Sequence, residues 1–548
     1  MTVPIQELLE HCRAALRAGD AAGARHALEG ATVASASGDV IECLARAAYL
    51  DLDFAEAIGG WERAYAAHRD GGDLSAAIRV ARTLGYMHAS ILGDWAVSSG
   101  WMARAKTLLA GDLECPEAGW VALNSGMFEA DRVQKETCFR EALTLARRFG
   151  DSDLEFVTLA YLGASLVHLD RTEEGMVLLD EALAAVAGSE VDDFSVLQEI
   201  FCQLFAACEH AHDVSRADQW IRIGEAIAKR RNLPAVSAFC RTHYGGLLTA
   251  AGRWPEADTA LTEAVRLWGL GHRMLRGGAL ARLADLRTRQ GRFEEAEHLL
   301  DGLQGDLDAA RPIAAIQLAR GEMSLAKDTL ERALEQIDPS NSAVAPLLAL
   351  LVDVHLASNA LDEADATAQK LEACAVRHGS HYLTASAALA RGRVCLAAGT
   401  GDPRACLRDA LAGFTRAQMP VEVAHSRLEL ANALLTEHPD VAMAEARAAL
   451  EAFDRLHAAR HADAAAAVLR SLGARPPARG TSASLLSKRE AEVLELLGHG
   501  LSNPEISDRL FISRKTVEHH VGNVLSKLGL RSRGEAAAYA ARAKAADE

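Results

Sequence analysis

The stretch AGRWPEADTALTEAV, residues 251–265, carries a turn glycine, an acidic residue just after it, and then an apolar run with helical spacing. Gly252 suits a tight turn, and Glu256 suits the first turn of a helix, where the backbone dipole favours an anion. Ala257 and Ala264 lie seven residues apart, on one face of that helix. The phrase recurs as LDRTEEGMVLLDEAL (169–183), QGRFEEAEHLLDGL (290–303), ARGEMSLAKDTLERAL (319–334) and NALDEADATAQKLEA (359–373). Anchored on the turn residue, it marks Asp53, Gly93, Asp131, Asp170, Asp213, Gly252, Gly291, Gly321, Ala360 and Gly401. Intervals run from 38 to 43 residues, except for one of 30 between Gly291 and Gly321.

Small residues repeat at seven-residue spacing as Gly175/Ala182, Ala257/Ala264, Ala326/Ala333 and Ala405/Ala412. Side chains this small let a neighbouring helix approach closely, as antiparallel helix pairs stacked into a solenoid require. The repeated phrase resembles tetratricopeptide repeats, with a period nearer 40 than 34 residues. A TPR-like solenoid is therefore expected over residues 1–472. Such a body exposes a concave face, and its expected role is to hold a peptide, a partner protein or a small effector. The rival reading is a set of unrelated helical bundles sharing an alanine bias.

Composition agrees with an all-α chain. Of 548 residues, half are apolar and only 5% aromatic, which suits helices packed on small side chains better than sheets. All seven tryptophans fall between Trp61 and Trp268; most are expected to pack helices, a ligand cage built from some of them being the alternative. The ten cysteines show no CxxC pair and read as buried hydrophobes of a reducing compartment, not a disulfide framework. His168, His210, His212 and His243 lack metal-ligand spacing. The first residues show no secretory signal pattern, and no apolar run approaches bilayer length, so a cytoplasmic protein without membrane contact is expected.

Charge is unevenly spread. The whole chain carries 58 Lys+Arg and 75 Asp+Glu, a net of −17; residues 481–548 carry 10 and 9, leaving 48 against 66 in residues 1–480. An acidic body with a near-neutral tail confines any nucleic-acid contact to the tail.

That tail follows GARPPARGTSAS, residues 473–484, a proline- and glycine-containing tether. Beyond it, residues 485–548 read as four short helices that open on serine. Ser487/Glu490, Ser502/Glu505 and Ser532/Glu535 have capping-box spacing, Ser513 caps without a glutamate, and Leu501/Ile506 have the spacing of a hydrophobic staple. Gly500 and Gly529 stand where left-handed helix ends are expected. In PEISDRLFISRKTVEHHVGNVLSKLGL, residues 504–530, Val517, Val521, Val524, Leu525 and Leu528 form one apolar stripe. The opposite face carries Lys515, Thr516, His519, Gly522, Asn523 and Ser526, flanked by Arg514, Lys527, Arg531 and Arg533, with Glu518 the single acid of 514–533. One face bolted to a core and the other free to enter a major groove is helix-turn-helix geometry.

The elements LSKREAEVL, GLSNPEI and LFISRKTVEHHVGNVLSKLGLRSRGEAAAYA are similar to the LuxR-type (GerE-like) DNA-binding domain of bacterial regulators. The resemblance covers about an eighth of the chain. It implies a helix-turn-helix at 503–522, a recognition helix near 514–528, groove-facing Glu518, His519 and Gly522, and backbone contacts near Lys515, Thr516, His520 and Lys527. Glu518, Gly522 and Ser507 depart from residues common in the family and bear on the target sequence; Glu518 has the chemistry to accept from a cytosine amine. The resemblance also implies a homodimer on DNA, paired through GEAAAYAARA.

Helical repeats joined to this domain resemble the C-terminal half of MalT-like large LuxR regulators. Their P-loop is not found: of nine lysines only Lys106 and Lys515 precede threonine, and neither follows glycine. No cofactor, metal site or enzyme activity is expected. The implied function is sequence-specific regulation of transcription through double-stranded DNA, with an effector or partner on the repeat body. The alternative is a repeat-based adaptor with a vestigial DNA-binding tail.

Overall fold

The computed structural model describes residues 4–29, 37–110, 115–231, 238–269, 273–474, 488–510, 513–528, 530, 532–537 and 539–540. It is helical, with no strand among the described residues. The chain divides into two compact units, Met1–Leu472 and Gly473–Glu548.

Among the described residues, the first unit stacks twelve antiparallel helix pairs, from Ile5–Arg17 with Ala21–Leu28 to Pro420–Leu434 with Pro439–Arg455, followed by Ala459–Ser471. Aspartates start many of the helices. Asp20, Asp53, Asp73, Asp131 and Asp151 each accept from a backbone N–H three residues on, at 2.8–3.1 Å, satisfying a donor the helix leaves open. The paired helices are joined by tight turns, many of which take a left-handed residue, as at Gly252, Gly291 and Gly321 with φ +72°, +80° and +80° and at Asp170 with +62°.

All ten sequence anchors fall at such turns. They omit the first pair, which turns at Gly19 and Asp20, and the twelfth, whose second helix starts after His438 with Pro439. The short interval before Gly321 comes from Phe293–Leu300, a second helix of only eight residues.

Counted from the N-cap of the second helix, the small buried residues stand at positions four and eleven. They are Ala57 and Ala64 after Asp53, Gly175 and Ala182 after Arg171, Ala257 and Ala264 after Arg253, Ala326 and Ala333 after Glu322, and Ala442 and Ala449 after His438. Ala405 and Ala412 do not fit: both are exposed. With Asp402 as N-cap the correct pair is one residue later, Cys406 and Gly413, and a Cβ on Gly413 would sit 2.7 Å from that of Ala385. Among the described residues the helix backbones come closest at Gly163 and Gly175: a Cβ on Gly163 would lie 2.7 Å from the Gly175 carbonyl oxygen on the paired helix, and one on Gly175 would lie closer still to that of Gly163.

The solenoid winds tightly. Gly19 of the first pair abuts Phe194, which opens the sixth. Asn341, just ahead of the tenth pair, donates to the His168 carbonyl of the fifth at 2.9 Å, and Ser342 N donates to Asp170 at 3.2 Å. Gly252 of the seventh pair lies against Pro420, which opens the twelfth. Each contact joins elements five pairs apart, so five pairs make one superhelical turn and their first helices face the axis.

The tryptophans pack helices rather than forming one cage. Trp61, Trp254 and Trp268 are buried. Trp120, Trp220 and Trp268 donate to Asp151, Asp180 and Thr242 at 2.8–3.0 Å. Of the cysteines, Cys202 and Cys240 are joined as a disulfide with Cα atoms 4.7 Å apart, against the expectation of uniformly free thiols. They lie 38 residues apart, on first helices of adjacent pairs, and only the stacking brings them together. No helix among the described residues is long and apolar enough to cross a membrane.

Gly163→Ala is expected to lower the stability of the body by about 2 kcal/mol, because the methyl meets backbone that cannot move aside. Gly100→Ala, in helix Trp95–Leu109 with nothing within 4 Å of its Cβ, is expected to raise it by up to about 1 kcal/mol. Denaturant unfolding of both variants checks the pair.

Candidate nucleic-acid interface

The second unit holds helices Lys488–Gly498, Asn503–Leu510 and Arg514–Leu528, followed by a helical stretch over 533–537. One cluster forms its core: Val493, Leu494, Leu497, Ile506, Val517, Val524 and Ala536, with Val521, Leu525 and Leu528 against it. The whole apolar stripe of Arg514–Leu528 thus faces inward.

Short polar contacts set the helix starts. Glu505 reaches back to Ser502 N at 2.7 Å, and the Ser502 hydroxyl donates to the same oxygen at 2.6 Å. The carboxylate therefore serves both groups, in place of the reciprocal bonding expected of a capping box. The Ser513 hydroxyl accepts from Thr516 N at 3.1 Å and meets the Thr516 hydroxyl at 2.7 Å. Ser532 caps Glu535 N at 3.2 Å. Gly500, at φ +80°, ends Lys488–Gly498 in the left-handed conformation, and Leu501 and Ile506 both pack on the core. Ser487 and Gly529 lie outside the described residues, as do most of the tether and the end of GEAAAYAARA.

Two arginines hold helix Asn503–Leu510 at its ends. Arg533 donates to the Leu501 carbonyl and, at 2.6 Å, to Asn503 Oδ1. Arg489 donates to the Leu510 carbonyl and, at 2.7 Å, to Glu492. Arg533, read from sequence as a flanking cation, is committed to this internal bonding. Arg489 was missed altogether, and spacing gave no signal of it.

On the outer side of Arg514–Leu528, Arg514, Lys515, Glu518, His519 and Gly522 are exposed, while Thr516, His520 and Asn523 are half-buried. The side chains of Ser526 and Lys527, and all of Arg531, lie outside the described residues. His520 Nδ1 is enclosed and finds no hydrogen-bond partner among the described residues, so this ring leans toward the core side. A Cβ added to Gly522 would meet nothing within 4 Å. No internal packing asks for a glycine there.

Residues 484–540 match the model of the family described as bacterial regulatory proteins, luxR family. These residues are a LuxR-family domain. Within it, 57 residues are 51% identical to the transcriptional regulatory protein LnrK of Bacillus subtilis (strain 168), covering 10% of this chain and 26% of that protein. Sixty residues are 48% identical to the oxygen regulatory protein NreC of Staphylococcus aureus (strain JH9), covering 11% of this chain and 28% of that one. The chain thus spans only about a quarter of the length of these relatives. Its fold also aligns with a chain in the crystal structure of the APC/C hetero-tetramer Cut9–Hcn1, over 82% of this chain and 89% of that one, with 11% identity and a TM-score of 0.38.

Arg533→Met is expected to destabilise this domain by roughly 1.5–3 kcal/mol, the range for hydrogen bonds to a charged group. Gly522→Ala is expected to stabilise it by up to about 1 kcal/mol. Thermal melts of the two variants followed by a probe in the LuxR-family domain separate these outcomes.

Proposed function

We propose that the chain is a sequence-specific DNA-binding regulator of transcription. Arg514–Leu528 acts as recognition helix in the major groove, and the repeat body senses a small effector or a partner. The observation that carries this reading is the division of that helix. Val517 and Val524 are fully buried, while Arg514, Lys515, Glu518, His519 and Gly522 stand free on the other side. A helix anchored on one face and polar, short-chained and cation-flanked on the other has the form a groove accepts. The relatives' own names, a transcriptional and an oxygen regulatory protein, support the same class.

In this reading Arg514, Lys515, Thr516, His520 and Lys527 meet phosphates and sugars, and Glu518, His519, Gly522 and Asn523 face base edges. Gly522 leaves room for the backbone to approach the groove floor, which fits its lack of any internal packing role. The domain is near neutral, and Arg489 and Arg533 are spent inside it. One copy therefore makes few phosphate contacts, and two copies on a two-part site are the arrangement that gains affinity. The body's acidic charge keeps the remaining surface off DNA.

Selection of bound fragments from random DNA with the full chain is the deciding experiment, and failure to retain any fragment at low salt overturns the reading. Lys515→Gln is expected to weaken binding on every sequence and to reduce the salt slope by about one. His519→Ala is expected to shift base preference, by roughly 1–3 kcal/mol at the position it reads.

A further inference from the structure

The axis-facing helices of the last superhelical turn, from Arg273–Gln290 to Ala459–Ser471, enclose a cavity of about 460 Å³. Its wall carries an ion network. Asp285 accepts from Arg311 and, at 2.9 Å, from Arg289, which also donates to Glu422 Oε1 at 3.2 Å. Arg393 donates to Asp353 at 2.8 and 3.0 Å and to Glu429 at 3.0 Å. Four carboxylates thus share three guanidinium groups. Arg460, the other arginine on the wall, is exposed. Two further atoms point to a missing partner: Glu422 Oε2 and His425 Nε2 are both buried and make no hydrogen bond among the described residues. They lie one helical turn apart on Pro420–Leu434 and both line the cavity.

We propose that this cavity binds a small organic amine, whose ammonium group donates to Glu422 Oε2 and to His425 Nε2. The amine supplies the fourth cation that the network lacks and the hydrogens its two orphan atoms need. Tyr382 and Phe414 on the same wall give the rest of the molecule an aromatic surface to pack on. Burial, and then the adjacent His461 ring 4.5 Å away, hold His425 well below the usual imidazole range, so it stays a neutral acceptor at physiological pH. A cavity of this size, ringed by one full turn of the solenoid, suits a small molecule rather than a protein segment. The site deepens the sensing role proposed for the repeat body, and only its regulatory consequence rests on that role.

Calorimetric titration of the full chain without DNA, using straight-chain primary amines alongside alcohols and carboxylates of matched length, tests the site. Amines are expected to bind one to one, and their matched alcohols and carboxylates are not. Glu422→Gln is expected to weaken amine binding about tenfold or more, the loss of one charge-assisted hydrogen bond. Ala349→Phe, which fills the cavity while leaving the ion network in place, is expected to abolish it. Thermal melts without amine establish that each variant is folded, and if Glu422→Gln is not, Ala349→Phe decides. Equal binding of alcohols, unchanged binding in a folded variant, or no binding by any amine overturns the proposal. DNA selection on the same preparations without amine reports on the regulator reading alone, so the two fail separately.

Discussion

Everything in the repeat body depends on how closely the two helices of a pair can approach. In many pairs small residues four and eleven positions after the N-cap set that distance, and at Gly163 and Gly175 the two backbones touch. Close pairs tilt each successive repeat by a large step, and five steps bring the chain around to meet itself, as Asn341 meets His168. Leu371, fully buried eleven positions after Ala360 in the tenth pair, is an exception to the small-residue pattern.

Tight winding has an electrostatic consequence. The first helices face the axis, where many acidic and basic side chains are brought together out of bulk water. Charges there must find each other. Glu209 accepts from Arg282 at 2.7 and 2.9 Å and meets His243 at 2.6 Å; against burial, Arg282 and then His243 hold its carboxyl at about 2. Such networks gain little net stability, since desolvation offsets most of the attraction, but a mispaired register would strand a charge. They act as registry marks between repeats whose apolar faces are nearly interchangeable. Burial pushes the Asp353 carboxyl up while Arg393 opposes it.

The LuxR-family domain solves a different problem with the same residue type. It has one small core and two short helices that leave many backbone groups at their ends. Arg489 and Arg533 close two of those ends by reaching carbonyls, which removes them from the supply of cations for phosphate. Stability of the fold and affinity for an anion compete for the same side chains here.

What the sequence revealed follows from how local each signal is. The turn residues Gly252, Gly291, Gly321 and Gly500 and the valine stripe of Arg514–Leu528 are decided within a few residues, and they stand in the structure as read. The Ala405/Ala412 pair failed because residue type alone was followed; counting from Gly401, as at Gly252 and Gly321, gives Cys406 and Gly413. The disulfide between Cys202 and Cys240, the commitment of Arg533, and the orphan atoms of Glu422 and His425 are products of stacking over tens to hundreds of residues. No local pattern encodes them, because each partner alone is an ordinary residue in an ordinary helix. The recognition side of Arg514–Leu528 lies between these extremes. Its exposure was legible from periodicity, since a helix with one apolar stripe must turn its other face outward. In the proposed reading, base preference would arise from Glu518, His519 and Gly522 together, across a distance that only a bound duplex defines.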